Sequence, residues 1–388
     1  EPQEIAAIEA WIEKGAPWDA ERWASLNLPE RTEVTTGPLP APYTPLLALA
    51  ISPDGTTLAA GRGNLVEWYR VSAEEGDGGG LVLEKTATSR GHADVVRSLA
   101  FSPDGKTLAS GGFRTVLFWN PAKPEKPTRK IEKPFLGRQT ALLFLEKPAR
   151  LLVADSLPSQ LGRLHEIDLK SEKTRTFDTA HLDSIFHLAA SPDGKRYATA
   201  SADKLVTIRD GSSHEIVKRL EGHTGYVLAA AFGPEGKRIA TAGDDEEIKV
   251  WNLETGKKVS AFASRKCGPL YGLAWFVDPA NAKKKAEEKD SDKAAEINTD
   301  RVFAIAESGK PAAFVDLNEH EGEQRSKGAQ EKSFDAVDAP LFALAVHPER
   351  QWIFAGDEDG RLHAWDEKGK RRHTLEPAVA SEPATAKK

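Results

Sequence analysis

Hydrophobic and polar positions along the chain fall into a repeating order. A short run of small and apolar residues ("ALAI", "SLAF", "HLAA", "AAAF", "ALAV") is followed by a tight polar turn and then a second apolar run ("TLAAG", "TLASG", "RYATA", "RIATA", "WIFAG"). The turn reads "SPDG" at residues 52–55, 102–105 and 191–194, "GPEG" at 233–236 and "HPER" at 347–350. Pro presets φ at the first central position of a turn, and Asp-Gly closes it. Runs of this length, rich in Val, Ile, Leu and Phe and bounded by such turns, predict strands. Two degenerate copies fill the gaps, residues 141–145 with 151–154 and residues 272–276 with 302–305. The turns begin near positions 52, 102, 145, 191, 233, 277 and 347, in steps of 50, 43, 46, 42, 44 and 70. A period in the low forties with four short strands per unit is the signature of propeller blades. Polar insertions in the sixth unit account for the long step. Small residues recur in the first strand (Ala48, Ser98, Ala141, Ala229, Gly272 and Ala343), as expected where seven strands converge on one axis; His187 is the exception.

The third strand of each unit carries a Trp-Asp position. It reads Trp119-Asn120, Trp251-Asn252 and Trp365-Asp366, and is altered at Tyr69-Arg70, Ile167-Asp168, Arg209-Asp210 and Val315-Asp316. Gly-His precedes the first strand at Gly91-His92 and Gly222-His223, while His181 follows Ala180. On these motifs the chain resembles a WD40 protein over about residues 44–375. The expected fold class is therefore all-β, a seven-bladed WD40 β-propeller with a short N-terminal helix and linker. The resemblance implies a buried chain of His, Ser/Thr, Asp and Trp within a blade, and the fifth unit alone supplies all four: His223, Thr241, Asp245 and Trp251. A buried indole N–H needs an acceptor, and a hydroxyl can accept it and link onward to an imidazole. A structural network is favoured over a catalytic triad.

Residues 2–14 predict a helix, with Ile5, Ile8, Trp11 and Ile12 on one face and Gly15 as its stop. The string "WIEKGAPW" at 11–18 resembles the last helix of the cytochrome c domain in planctomycete-type cytochrome–propeller fusions. That resemblance implies a haem c domain upstream of Glu1, redox proteins among the partners and a periplasmic or cell-surface location. The chain itself departs from the family: it has no Cys-x-x-Cys-His and no Met to serve as an axial ligand. It also begins at Glu1, so it is read as a fragment or processed product. Residues 19–43 form a linker with Pro29, Pro38, Pro40 and Pro42; residues 44–375 form the propeller; residues 376–388 form a Pro/Ala-rich disordered tail. Either 31–36 or 371–375 could supply the outer strand that closes the ring. The long loops at 73–80, 121–128, 279–300 and 319–333 connect first to second or third to fourth strands and so share one face. The Lys- and Glu-rich stretch 279–300 is read as a solvated loop.

Composition narrows the function classes. Hydrophobic residues make up 39% and charged residues 29%, with a net charge of -6 and a pI of about 6.0. A nucleic-acid-binding domain would usually be basic. No apolar run reaches the roughly 20 residues a transmembrane helix needs. Cys267 is the sole cysteine, which leaves no internal disulfide framework. Metal-ligand spacing is poor, "GRGN" at 61–64 lacks the helix a phosphate loop requires, and neither a nucleophile elbow nor a marked carboxylate pair is present. The expectation is a non-catalytic protein-interaction scaffold holding no metal or cofactor of its own. One alternative is a cofactor-bearing redox propeller fed by the fused cytochrome, with His187 at the axis. The other is a cytoplasmic scaffold with no redox role. The candidate partner face comprises Arg97, Phe186, Tyr271 and Phe342 at the starts of first strands. It also includes Phe113, Arg114, Lys204, Glu246 and Lys310 in the turns between second and third strands. Aromatic and Arg side chains are the usual interface anchors.

Overall fold

The computed structural model describes residues 44–73, 80–146, 149–157, 162–178, 181–263, 268–277, 279–287, 300–309, 312–314, 330–366 and 369–377. The chain divides into Glu1–Gly37 and Pro38–Lys388. The N-terminal helix, the "WIEKGAPW" string and the strand expected at 31–36 lie outside the described residues, as does the tail from 378.

Among the described residues the apolar runs pair with their neighbours in sequence, always antiparallel, and give seven four-stranded sheets. Sheets 1 to 7 span residues 46–90, 98–131, 138–178, 185–220, 227–263, 270–333 and 341–375. The fold is an all-β propeller. Second strands such as Thr57–Arg62, Arg196–Ser201 and Ile353–Asp357 are buried along nearly their whole length. They lie mid-sheet with both faces covered, which is why they read as continuous small-apolar runs rather than as an alternation. The core is not one mass but seven wedges, each between consecutive sheets. Tyr69, Val71 and Leu81 of sheet 1 pack on Trp352, Phe354 and Leu362 of sheet 7, so the last wedge closes the ring.

The outer strand of sheet 7 is Arg371–Leu375, paired with Leu362–Trp365. Among the described residues no strand is shared between sheets 7 and 1, and side chains join them instead. The Arg62 guanidinium donates to the Gly360 carbonyl, and His373 Nε2 meets the Leu81 carbonyl. Packing at this seam is tight: a Cβ on Gly356 would lie 2.2 Å from Leu46 Cδ2 and 2.7 Å from its carbonyl oxygen.

The "SPDG" turns share one geometry. Ser52 Oγ donates to Asp54 Oδ1 at 2.5 Å and accepts from Thr57 N at 3.0 Å, and Gly55 takes φ 73. The same serine–aspartate bond recurs at Ser102–Asp104 and Ser191–Asp193, both 2.6 Å. The positive φ explains the glycine.

Two loop expectations need correction. Within 279–300, residues Pro279–Glu287 form a helix, α1. Proline at its first turn, alanine and lysine thereafter, and a Lys283–Glu287 pair at 3.8 Å favour that state over a loop. Within 319–333, Gln330–Ser333 is the outer strand of sheet 6, paired with Ala312–Phe314. A strand this short and polar has no apolar alternation to reveal it.

Candidate partner-binding face

Strands alternate in direction across each sheet, so the starts of inner strands and the turns between second and third strands gather at one end of the ring. The structure builds that end with a repeated device. In sheets 1, 4, 5, 6 and 7 the inner pair shifts register by one residue, at Leu46/Ala48, Ile185/His187, Val227/Ala229, Leu270/Gly272 and Leu341/Ala343. The extra residue is Leu47, Phe186, Leu228, Tyr271 or Phe342, and each is half-buried. In sheet 3 it is Thr140. A bulge of this kind re-aims a side chain out of the pleat. Arg97 precedes the inner strand of sheet 2, with its N–H donating to Gly111 O at 2.8 Å.

Four of the expected face residues, Arg97, Phe186, Tyr271 and Phe342, thus fall at equivalent places. Tyr271 and Phe342 meet edge to face with centroids 4.9 Å apart, and Phe186 lies 6.3 Å from the exposed Tyr226. Arg114, Lys204 and Glu246 occupy the turns, each at positive φ (54, 72 and 57). Phe113 bridges to Arg138, and the Arg114 guanidinium lies 5.9 Å from its ring centroid. Lys310 lies outside the described residues. Leu47, Thr140, Leu228 and Tyr226 were missed in the sequence. The signal was there: each bulged residue immediately precedes the small residue, or His187, that recurs in the inner strand.

Each of these turns is anchored beneath by buried polar groups. In sheet 5, Trp251 Nε1 donates to Thr241 Oγ1 at 2.8 Å, His223 Nε2 lies 2.7 Å from the same hydroxyl, and His223 Nδ1 lies 2.9 Å from Asp245. Burial alone would raise the Asp245 carboxyl. Hydrogen bonds from His223, Lys249 and the Thr224 N–H outweigh it and hold the group well below the usual carboxylate range. Lys249, itself buried, reaches Asp245 at 2.7 Å and Glu247 at 2.5 Å, a partner the motif did not announce. Sheet 4 repeats the pattern with His181, Thr199 and Asp203. Thr207 bonds Thr199 at 2.6 Å, and Arg209 Nε donates to Thr207 at 3.2 Å where an indole would stand. Sheet 2 keeps Trp119, Ser110 and His92 but has Phe113 in the aspartate's place. Burial, helped by nearby Lys130 and opposed by Asp94, lowers His92 to about 4. Sheets 3 and 7 use another arrangement: His165 bonds Asp155 at 3.3 Å and Thr176 at 2.9 Å, and His363 bonds Asp357 at 2.9 Å and Thr374 at 3.1 Å. Sheet 1 uses Arg62 and Glu67 at 2.8 Å.

Thr241, His223 and Asp245 have the composition of a hydrolytic triad. The hydroxyl, however, is fully buried and already accepts the indole N–H. A nucleophile must reach its substrate, and this oxygen is walled in. Trp251→Phe removes that donor and is expected to lower stability by about 1–3 kcal/mol, read as a lower thermal midpoint. An unchanged midpoint would show that the chain of bonds contributes nothing. Among the described residues no three His, Cys, Asp or Glu side chains converge on one point.

Four stretches of the chain, residues 83–120, 171–210, 214–252 and 329–366, match the model of the WD domain, G-beta repeat. These four stretches are WD40 repeats. Each match begins in or just before an outer strand and continues through three strands of the next sheet, so a repeat straddles two blades. Among similar proteins, "WD repeat-containing protein 1" of Gallus gallus is 26% identical over 45% of this chain and 25% of its own length. Its Rattus norvegicus counterpart is 33% identical over 23% and 15%. "Protein HIR1" of Cryptococcus neoformans var. neoformans is 29% identical over 25% and 11%. The chain therefore matches a quarter or less of each relative's length. No helix among the described residues is long and apolar enough to cross a membrane.

Proposed function

We propose that this chain is a seven-bladed, non-catalytic interaction scaffold that docks a partner protein on the face where its inner strands begin. The observation that carries this reading is the arc of bulged, half-buried Leu47, Phe186, Leu228, Tyr271 and Phe342 around the mouth, set on turns fixed by buried polar pairs. Interfaces work by presenting apolar anchors on a rigid base, so that little ordering entropy is lost on binding. WD repeats in four stretches of the chain accord with such a role. A photo-crosslinking residue at Phe342 should capture a discrete partner in the native host. The same probe at exposed Lys106, on the opposite face, should not. Capture from Lys106 alone, or from neither site, would overturn the proposal.

The larger assembly we propose places the scaffold beside a c-type cytochrome outside the cytoplasm. It rests on the string at 11–18, and a haem c absorption spectrum of the protein from its native host tests it. One observation favours a second reading, a redox propeller holding a cofactor at the axis. His187 Nδ1 is shielded from solvent with no hydrogen-bond partner. A colourless protein bearing no added mass would count against both.

A further inference from the structure

In five sheets the residue following the second strand sits at the same place, because its N–H donates to the carbonyl just before the inner strand. Asp244 N reaches Tyr226 O at 2.9 Å, Glu307 N reaches Pro269 O at 3.0 Å, and Glu358 N reaches Pro340 O at 3.1 Å. Gly63 and Ala202 make the same bond in sheets 1 and 4, and Gly112 follows the second strand of sheet 2. Three consecutive sheets therefore carry an exposed carboxylate where the other four carry the uncharged Gly63, Gly112, Leu157 and Ala202. Those three sheets also supply Leu228, Tyr271 and Phe342 to the apolar arc. The two sets are close neighbours: burial, then the charges of Glu307 and Asp244, raise the Tyr271 hydroxyl above its ordinary value. Arg361, three residues beyond Glu358, pairs with Asp357, Asp359 and Glu376. Across the mouth, sheets 2 and 3 present Arg97, Arg114 and Arg138 instead. The described part of the face is thus polarised, with three of the five apolar anchors on its acidic side.

We infer that the sector over sheets 5, 6 and 7 docks a basic polypeptide segment whose large apolar side chain seats against Tyr271 and Phe342 while its Lys or Arg groups meet Asp244, Glu307 and Glu358. The inference rests on the docking role proposed above and adds the chemistry of the partner. Charge complementarity across an interface sets orientation and encounter rate, and an apolar anchor supplies affinity. An acidic segment would meet three carboxylates where the paired rings of Tyr271 and Phe342 offer it an anchor.

The test is fluorescence anisotropy of the full chain with three labelled peptides at low salt. One is rich in Lys and Arg around a central Phe, the second replaces its basic residues with Glu, and the third replaces the Phe with Ser. The basic Phe peptide should bind at least about tenfold more tightly than either twin. Asp244→Asn, Glu307→Gln and Glu358→Gln together should weaken it by about tenfold or more. Neutralising Glu235, Glu254 and Glu349 on the opposite face, which changes net charge equally, should leave binding within about twofold. Equal binding of the acidic twin, an unaffected triple variant, or no binding of the basic peptide would each overturn the inference. If the Phe342 crosslink still captures a partner, those failures leave the docking role standing; loss of the crosslink removes that role itself.

Discussion

Asp245→Ala is expected to destabilise the fold by about 3–5 kcal/mol, the range for removing one partner of a buried ion pair. The carboxylate accepts from His223 at 2.9 Å, from Lys249 at 2.7 Å and from the Thr224 N–H at 3.0 Å. Its side chain is 4% exposed and that of Lys249 is 1% exposed. Without Asp245 the ammonium keeps Glu247, which is 38% exposed, and the His223 Nδ1 at 3.3 Å. Its desolvation then loses its one buried counter-charge. Lys249→Met in the same chain should recover much of the loss, because it removes the stranded charge and fills the space with apolar volume. Urea midpoints of the two single variants and the double variant form the cycle that checks this. Additive losses would mean that the lysine is solvated through another route and that the pair is not coupled.

The architecture was legible because its signals are local. Turn chemistry at Ser52, Ser102 and Ser191 and the small-apolar second strands mark each unit from within, and the seven turn positions coincide with the ends of the seven inner strands. The outer strand of sheet 6 was hidden because Gln330–Ser333 is polar and short; its place is set by pairing, not by sequence alternation. Helix α1 was hidden because a charged helix without an apolar stripe reads like a solvated loop. At the candidate face, aromatic and basic residues drew attention as interface types. The acidic positions Asp244, Glu307 and Glu358 carry no motif, and their equivalence appears only once the N–H bonds that align them are seen. Lys249 is the sharpest case. A lysine in a strand reads as a solvent-facing residue, yet here it is buried against an aspartate that the motif supplies for a histidine.

Acid should loosen the ring progressively as pH falls below 6.5. Burial lowers His187 to about 4, and burial with nearby Lys130, against Asp94, does the same for His92, both from an ordinary 6.5. A histidine with a depressed folded pKa binds its proton more readily unfolded. Its contribution is therefore complete above pH 6.5 and is lost as pH falls toward 4, by roughly 3 kcal/mol for each group. Asp245 behaves in the same direction at lower pH, since its carboxylate is held far below the usual range. The His187 share can be isolated, because Ala occupies the equivalent position in sheets 1, 3, 5 and 7 (Ala48, Ala141, Ala229 and Ala343). His187→Ala should fold at pH 7 and keep more of its stability at pH 4.5 than the parent does. If urea midpoints of parent and variant fall in parallel between those values, His187 is not held neutral by burial. Its unpartnered Nδ1 would then need another explanation, one in which the imidazole is charged at the axis of the ring.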